Sequence, residues 1–455
     1  MSSIYLSRIP DYCKTIMDLI NQRWFEAYVV GGAVRDMVMG FEPQDFDIAT
    51  SANPKEVVEI LNCEGISNSD DYSRHGTIIA CIDSNQVEIT SYRIDGKYSD
   101  VRRPDEVLFS RNIEDDCSRR DFTMNSLYLD SNGIIVDHFG GVEDISNKII
   151  RCVGDSRLRF EEDALRILRG LRFEARLGFS IDPETKAGML QNLMGLTKIS
   201  KERIAEEFTK IITGKFASKV IRENVDILAI VLPELKDAEG FDQKTKYHDS
   251  DCLEHTLRTI DNIPLNEFGK REVELSYAAL FHDICKPQVF TVDSEGVGHM
   301  KGHPRRSAEL FASWAKEHKL SKKMTSSIET LIRYHDTFND TDQVAISRMM
   351  AEIPNILFDK LEILQEADIL AHANYGLDRL QKLRNQQEIR QNIISKNICV
   401  SIKQLAISGD DMIKLGYSGK QIREKLEFAL EAVITGKANN SKEELLSILT
   451  RESLN

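Results

Sequence analysis

Ala27-Tyr28-Val29-Val30-Gly31-Gly32-Ala33-Val34-Arg35-Asp36, followed by Asp45-Phe46-Asp47-Ile48-Ala49, decides the reading of the N-terminal part of this chain. Residues 27–30 form a short apolar, partly β-branched run and 33–39 have helical composition, so Gly31-Gly32 stands at a strand-to-helix turn. Without a Cβ the backbone can approach a ligand closely, and the N–H groups at a helix start suit phosphate oxygens. Arg35 adds a charged fork. Asp45-Phe46-Asp47 alternates with period two, so in a strand both carboxylates point to one face and Phe46 and Ile48 to the other. Hard oxygen ligands on one face suit Mg²⁺. Each motif alone is a commonplace turn or solvated strand end; in strand, turn, helix, strand order they point to a nucleoside triphosphate and a divalent metal. Outward from this core, Asn53-Pro54 supplies an N-cap and a first-turn proline for a helix over 54–61. Residues 77–82 and 86–90, around Asp83-Ser84-Asn85, predict a hairpin.

A chain of 455 residues exceeds one typical core, and its length suggests about three domains. Its composition, 41% hydrophobic and 29% charged, is that of a globular protein, and no run approaches the roughly 20 apolar residues of a membrane span. Residues 1–10 lack the basic and apolar regions of a signal peptide. The eight cysteines (13, 63, 81, 117, 152, 252, 285 and 399) include no C-x-x-C pair, which predicts reduced thiols in a cytoplasm rather than a disulfide framework or a cysteine zinc site. A net charge of −14 excludes coating of nucleic acid through bulk charge, so an RNA site has to be a local basic patch. Arg93, Lys97, Arg102, Arg103, Arg111, Arg119 and Arg120 form one such patch, and arginines without lysine run from Arg151 to Arg176. The guanidinium fork suits phosphates and base edges; the plain alternative is a solvated helix face laced with Glu161, Glu162 and Asp163.

From Phe160 onward long helical patterns replace the strands, with soft boundaries near 150, 240 and 375. In 162–172, apolar positions 164, 165, 167, 168 and 171 fill one side of a helix and place Asp163 one turn from Arg166. As an intrahelical salt bridge the pair is worth about 0.3–0.5 kcal/mol. As a recognition pair it does more: the carboxylate accepts from the amino group of cytosine or adenine while the guanidinium donates to the adjacent ring nitrogen. Guanine and uracil set oxygen against oxygen and donor against donor, so the pair admits CTP and ATP and rejects GTP and UTP.

These motifs, joined by Arg119-Arg120-Asp121-Phe122-Thr123-Met124-Asn125 and Ile199-Ser200-Lys201-Glu202-Arg203, resemble in order those of the class II tRNA nucleotidyltransferases. That family comprises the CCA-adding enzymes and their poly(A) polymerase relatives, with a head of the polymerase β superfamily. The resemblance covers residues 29 to about 210 and implies an α+β fold. A nucleotidyltransferase head with a mixed sheet would occupy 1–150 and an all-α neck with the template and RNA-binding helices 151–240. An HD domain would follow over 241–375, then a helical tail over 376–455 that contacts tRNA. It further implies that Asp45 and Asp47 hold two Mg²⁺ ions and that Gly32 and Arg35 contact the triphosphate. Asp163 and Arg166 would template the base, with Arg169 and Arg172 as further nucleotide contacts; either Arg119 or Arg120 would touch the nucleotide. Glu88 would be the third catalytic carboxylate, or else a surface residue of the hairpin. Residues 98–105 resemble the flexible loop of full CCA-adding enzymes. Thr90-Ser91-Tyr92-Arg93 stands where poly(A) polymerases carry a glycine, arginine and phenylalanine signature, which favours tRNA as acceptor.

Eight of the 10 histidines lie between 248 and 372. His255, His282-Asp283 and Asp368 resemble the H…HD…D set of HD-superfamily phosphohydrolases, which implies a bound divalent metal. His303 and His335 would extend that set to a substrate phosphate or a second metal. Cys285 departs from the glycine that many HD proteins carry. The expected activity is template-independent addition of CCA to tRNA 3′ ends from CTP and ATP, with hydrolysis of phosphoester ends such as 2′,3′-cyclic phosphates at the HD centre. The alternatives are a poly(A) polymerase, a partial CC- or A-adding enzyme, or an HD phosphohydrolase whose head binds RNA; no membrane partner is expected.

Overall fold

A computed structural model describes residues 2–69, 76–95, 107–245, 249–338, 342–373 and 378–452. Residues 98–105, compared above with a flexible loop, lie outside the described residues. The chain divides into two units, the first Met1–Phe216 with Asp226–Val231, the second Ala217–Val225 with Leu232–Asn455.

In the first unit α1 (Ser2–Leu6) and α2 (Asp11–Gln22) precede β1 (Ala27–Val30), which turns into α3 (Gly32–Val38) and then β2 (Asp47–Thr50). α4 (Pro54–Cys63) leads to β3 (Ser67–Ser69), β4 (Thr77–Ile82) and β5 (Asn85–Ser91). β6 (Arg93–Asp95) pairs with β7 (Val107–Phe109), and α5 (Ile113–Ser118) precedes β8 (Leu127–Leu129), β9 (Ile135–Asp137) and α6 (Gly141–Ser146). The seven-stranded sheet runs β3-β4-β5-β2-β1-β8-β9, with β2 parallel to β5 and the remaining neighbours antiparallel. Local chemistry accounts for its parts. Asn53 and Glu56 form a reciprocal capping box at the start of α4, with Pro54 in its first turn, and Val57, Ile60 and Leu61 are buried. The β4–β5 hairpin turns through Asp83 and Ser84 at φ 48° and 65°, the left-handed pair that a two-residue hairpin with the twist of its strands requires.

The helical part of this unit runs from β10 (Ile149–Ile150) through α7 (Ser156–Glu162), α8 (Leu165–Leu177), β11 (Ser180–Ile181) and α9 (Pro183–Gln191) to α10 (Lys201–Ile212), which packs on α8. The parallel β10–β11 pair is too short to leave a period-two signal. The single helix expected over 162–172 is two helices: the chain breaks at Asp163, where φ −142° and ψ 99° are extended. The Asp163 carboxylate accepts the Leu165 N–H at 3.0 Å, so the aspartate caps α8 instead of continuing α7.

The second unit is helical apart from the short pair β12 (Thr291–Val292) and β13 (Gly298–His299). The helices Cys252–Asn262 and Asn355–Ala371 pack together, and Val273–Phe281 and Lys322–Tyr334 also lie against the latter. Tyr277, Phe281, Phe311 and Trp314 fill this core with ring centroids 5.1–6.5 Å apart. The C-terminal helices Gly409–Lys414, Lys420–Ile434 and Lys442–Glu452 gather a core of their own around Met412, Leu430, Leu445 and Leu449. No helix among the described residues is long and apolar enough to cross a membrane. All eight cysteines are free.

Gly141 allows α6 to seat against the chain at Thr123, because a Cβ there would stand 2.3 Å from the Thr123 carbonyl oxygen. Gly141→Ala is therefore expected to destabilise the first unit by roughly 1–3 kcal/mol, read as a lowered thermal midpoint by circular dichroism. An unchanged melt would contradict this packing.

Candidate functional site

The glycine turn, the carboxylate strand and a set of arginines meet at one end of the sheet. Gly31 has φ 69°, a left-handed conformation that favours glycine, and its N–H donates to the Leu127 carbonyl at 3.1 Å, anchoring the turn to β8. A Cβ at Gly31 would lie 3.4 Å from Arg120 Nη1, and one at Gly32 would lie 3.7 Å from Arg35 Nη2. The turn is thus flanked by two guanidinium groups. Asp47 is in register with Val30 on one side and Glu88 on the other. Phe46 and Ile48 are buried, whereas Asp45, Asp47 and Glu88 are exposed, as the alternation predicts, although the strand itself begins at Asp47. Although its side chain reaches solvent, the surrounding protein partly desolvates the Asp47 carboxylate, and this, then Glu88 and Asp45, raise its pKa against the opposing pull of Arg120. That surplus of negative charge on oxygen donors fits a hard divalent cation.

Carboxylates hold the arginines in place. Buried Asp116 accepts from Arg119 Nε at 2.8 Å and Nη2 at 2.5 Å through Oδ1, and from Arg120 Nη2 at 3.0 Å through Oδ2. The Tyr128 hydroxyl adds a 2.5 Å bond to the same Oδ2. Burial alone would raise the Asp116 carboxyl, but Arg119 and Arg120 outweigh it and hold it at about 2. Arg35 is only 3% exposed and turns to Asp36, at 2.9 and 2.7 Å, and to Asn125, at 2.7 Å. From α8, Arg169 forks onto Asp121 at 2.8 and 2.6 Å, Arg172 reaches Glu207 at 3.0 Å and Arg176 reaches Asp36 at 3.3 Å. Burial is again outweighed at Asp121, which Arg169 holds at about 2. Arg35, Arg169 and Arg172 lie 5.2, 6.0 and 4.5 Å from the centroid of one ring, Phe173.

The break at Asp163 changes its partner. Arg203 Nη2 of α10 lies 3.5 Å from Asp163 Oδ2, while Arg166 donates to Glu162 at 3.1 Å and to the Arg159 and Arg119 carbonyls at 3.1 and 3.0 Å. Arg203 was legible only as part of a quoted motif. Asp116, Asp121 and Asn125, which orient the arginines, stood in or beside the Arg-Arg-Asp motif without a role; a buried arginine's need for a carboxylate was the available signal.

The second unit holds a different cluster. One ligand atom each from His255, His282, Asp283 and Asp368 lies within 4.8 Å of the others, and so do Asp283, His303 and His335. Among the described residues these are the groupings of three or more such ligands that tight. All six residues are buried. Burial lowers the His255 pKa to about 4, whereas Asp283 and Asp368 overcome burial and raise His282 to about 10. Imidazoles with carboxylates suit a divalent transition metal, and four converging donors fit one. Cys285, at φ −92°, needs no glycine; its buried thiol is raised to about 11 by burial, so it is inert.

Comparison with known proteins matches three successive stretches of the chain, the second of which crosses the boundary between the two units. The Poly A polymerase head domain matches residues 27–151, the RNA and SrmB- binding site of polymerase A matches 178–239, and tRNA nucleotidyltransferase domain 2 matches 300–449. The CCA-adding enzyme of Geobacillus sp. (strain WCH70) is 32% identical over 443 residues, covering 96% of each chain. That of Geobacillus thermodenitrificans (strain NG80-2) is 44% identical over 206 residues, 45% of this chain and 50% of that enzyme. The crystal structure of the Bacillus stearothermophilus CCA-adding enzyme in complex with CTP superimposes with a TM-score of 0.65 at 27% identity, covering 97% of this chain and 96% of that one.

The buried carboxylates make the first unit acid-sensitive. Asp116 and Asp121 are held at about 2, below an unfolded value of about 4. Their stabilisation is complete above that unfolded value and is lost as pH falls through the folded one, at about 2 kcal/mol each. Urea unfolding of the first unit should weaken between about pH 4 and pH 2, and Asp116→Asn should flatten that slope while lowering stability at pH 7. An unaltered slope in Asp116→Asn would rule out this linkage.

Proposed function

The chain belongs to the CCA-adding enzymes, and from that premise we propose that its first unit adds C, C and A to tRNA 3′ ends, using CTP and ATP without a nucleic-acid template. The observation that carries this reading is the glycine turn flanked by the Arg120 and Arg35 guanidinia, with Asp47 in register beside Val30 and Glu88. The tRNA 3′ hydroxyl oxygen forms a bond to the α-phosphorus, the bond from that phosphorus to the β-phosphate oxygen breaks, and pyrophosphate leaves. Asp45 and Asp47, with Glu88 as third carboxylate, would hold Mg²⁺. Two such ions, when bound, promote loss of the hydroxyl proton and neutralise charge on the triphosphate. The Gly31-Gly32 turn lets the triphosphate approach the backbone, and Arg120, nearer the turn than Arg119, faces its oxygens. Arg35 is a buried positioning residue beside Gly32, and Arg169 and Arg172 add positive charge without lysine's flexibility. Asp163 and Arg166 read the base edge, with Arg203 holding the Asp163 carboxylate. Eight free cysteines support a reducing, cytoplasmic location.

In the second unit, His255, His282, Asp283 and Asp368 would hold a divalent metal for hydrolysis of phosphoester ends. The convergence of four buried ligand atoms within 4.8 Å favours this second activity. A divalent metal held there would supply Lewis-acid chemistry for a phosphoryl oxygen and a bound water.

Transfer is tested with tRNAs ending before the CCA, at C, at CC and at CCA, each with Mg²⁺ and CTP or ATP alone and together. Growth should stop after the final A. Continued adenylation would identify a poly(A) polymerase, and arrest at CC a partial enzyme. Asp45→Ala/Asp47→Ala should lower transfer by at least about 10³-fold, from the several kcal/mol that metal ions contribute. Asp163→Ala should lower the preference for CTP and ATP over UTP by roughly 10- to 100-fold, through loss of hydrogen bonding to the amino group. An undiminished preference would remove Asp163 from base choice. Asp368→Ala should abolish phosphoester hydrolysis and leave nucleotide transfer; hydrolysis that survives would refute the second centre.

A further inference from the structure

We propose that the cavity of the second unit seats the 3′ end of an RNA strand: besides the terminal phosphate at the Asp283–Asp368 cluster, it takes the preceding internucleotide phosphate on Lys301 and Lys382 and a nucleobase on Phe338 and Arg379. The inference rests on the hydrolytic reading above and goes beyond it, from a phosphoester to a polynucleotide held by contacts outside the reacting group. The cavity measures about 810 Å³, in the upper part of the roughly 300–1,000 Å³ that ligand sites span. Asp283 and Asp368 line it, so the buried cluster opens into it.

The cations of this cavity are not equally engaged. Lys286 Nζ pairs with Asp283 at 2.5 Å and donates to Gln243 Oε1 at 2.8 Å, and Arg379 is tied to Asp336. Lys301 and Lys382 line the same cavity, are exposed, and meet no carboxylate among the described residues. The cluster provides for the terminal phosphate, so these two ammonium groups serve further negative charge. Consecutive phosphates are what a nucleic-acid backbone carries, and lysine ammonium groups neutralise them.

The uncharged part of the cavity fits the rest of a nucleotide. Arg379 lies 4.5 Å from the centroid of the Phe338 ring, and its ion pair with Asp336 keeps the guanidinium there. Phenyl rings and guanidinium planes are the surfaces on which unpaired bases stack, whereas inorganic phosphate uses neither in that way. Thr245 also lines the cavity, and its Oγ1 is buried with no hydrogen-bond partner among the described residues. A buried hydroxyl needs a partner, and a ribose 2′-hydroxyl, the group that separates RNA from DNA, can both donate to it and accept from it.

The test titrates the full chain, loaded with Mn²⁺, calorimetrically with a cytidine dinucleotide. Its terminal 3′-phosphate is attached through methylene in place of oxygen and cannot be cleaved. An uncharged methylphosphonate in place of the internucleotide phosphate should weaken binding roughly tenfold, and Lys301→Ala/Lys382→Ala, its folding checked by circular dichroism, should erase that difference. A 2′-deoxy first nucleotide should bind about fivefold more weakly, a difference that Thr245→Val removes. Phe338→Ala should weaken binding roughly tenfold. Equal affinity for charged and neutral linkages, or a difference that survives in the lysine variant, overturns the polynucleotide seat; an indifferent Phe338→Ala overturns the base contact. Hydrolysis is read separately, on the dinucleotide ending in a 2′,3′-cyclic phosphate. There the water oxygen bonds to phosphorus, one ring P–O bond breaks, and the released ribose oxygen takes the proton. An ester that stays intact beside linkage-dependent binding refutes the hydrolytic reading and leaves the RNA seat standing.

Discussion

Asp116, buried between Arg119 and Arg120, is the contact on which the first unit's chemistry depends. A charge taken out of water needs close partners, and this carboxylate has two guanidinia and a tyrosine hydroxyl. Its consequence is positional: Arg120 cannot swing to solvent and stays beside Gly31. The same device recurs at Asp121 with Arg169 and at Asp36 with both Arg35 and Arg176. Three guanidinia can therefore share the surroundings of Phe173 without dispersing. Mutual repulsion would otherwise drive them apart; fixed carboxylates turn the repulsion into a standing positive field suited to a triphosphate.

The two units present possible metal ligands of opposite chemistry. In the first, carboxylates on neighbouring strands are exposed and spread along the sheet, an arrangement for hard ions that arrive with a substrate. In the second, imidazoles and carboxylates are buried and converge from separate helices. Oxygen donors in water give weak, exchangeable sites, while buried nitrogen donors favour a retained transition ion.

Much of this was legible because the decisive signals were local. The Gly31-Gly32 turn, the Asn53–Glu56 cap and the β4–β5 hairpin each arise from residues within a few positions of one another, and each stands where the sequence places it. The helix across Asp163 was misread for an equally local reason: apolar spacing continues through the break, and the aspartate's capping preference was outweighed by that pattern. β10 and β11 escaped notice because two residues carry no period.

By itself the sequence determined which groups are present and the order in which they come: the glycine turn, alternating carboxylates, clustered arginines, and histidines concentrated, eight of 10, between 248 and 372. Which groups meet was decided by the tertiary structure. Glu88 stands beside Asp47 only because β2 and β5 pair in parallel at that register. Asp163 meets Arg203 only because α10 packs on α8, and Asp283 meets its histidines only because several helices converge around it. A side chain's type is written locally, but pairing over tens or hundreds of residues depends on strand register and helix packing, which periodicity in one segment does not encode.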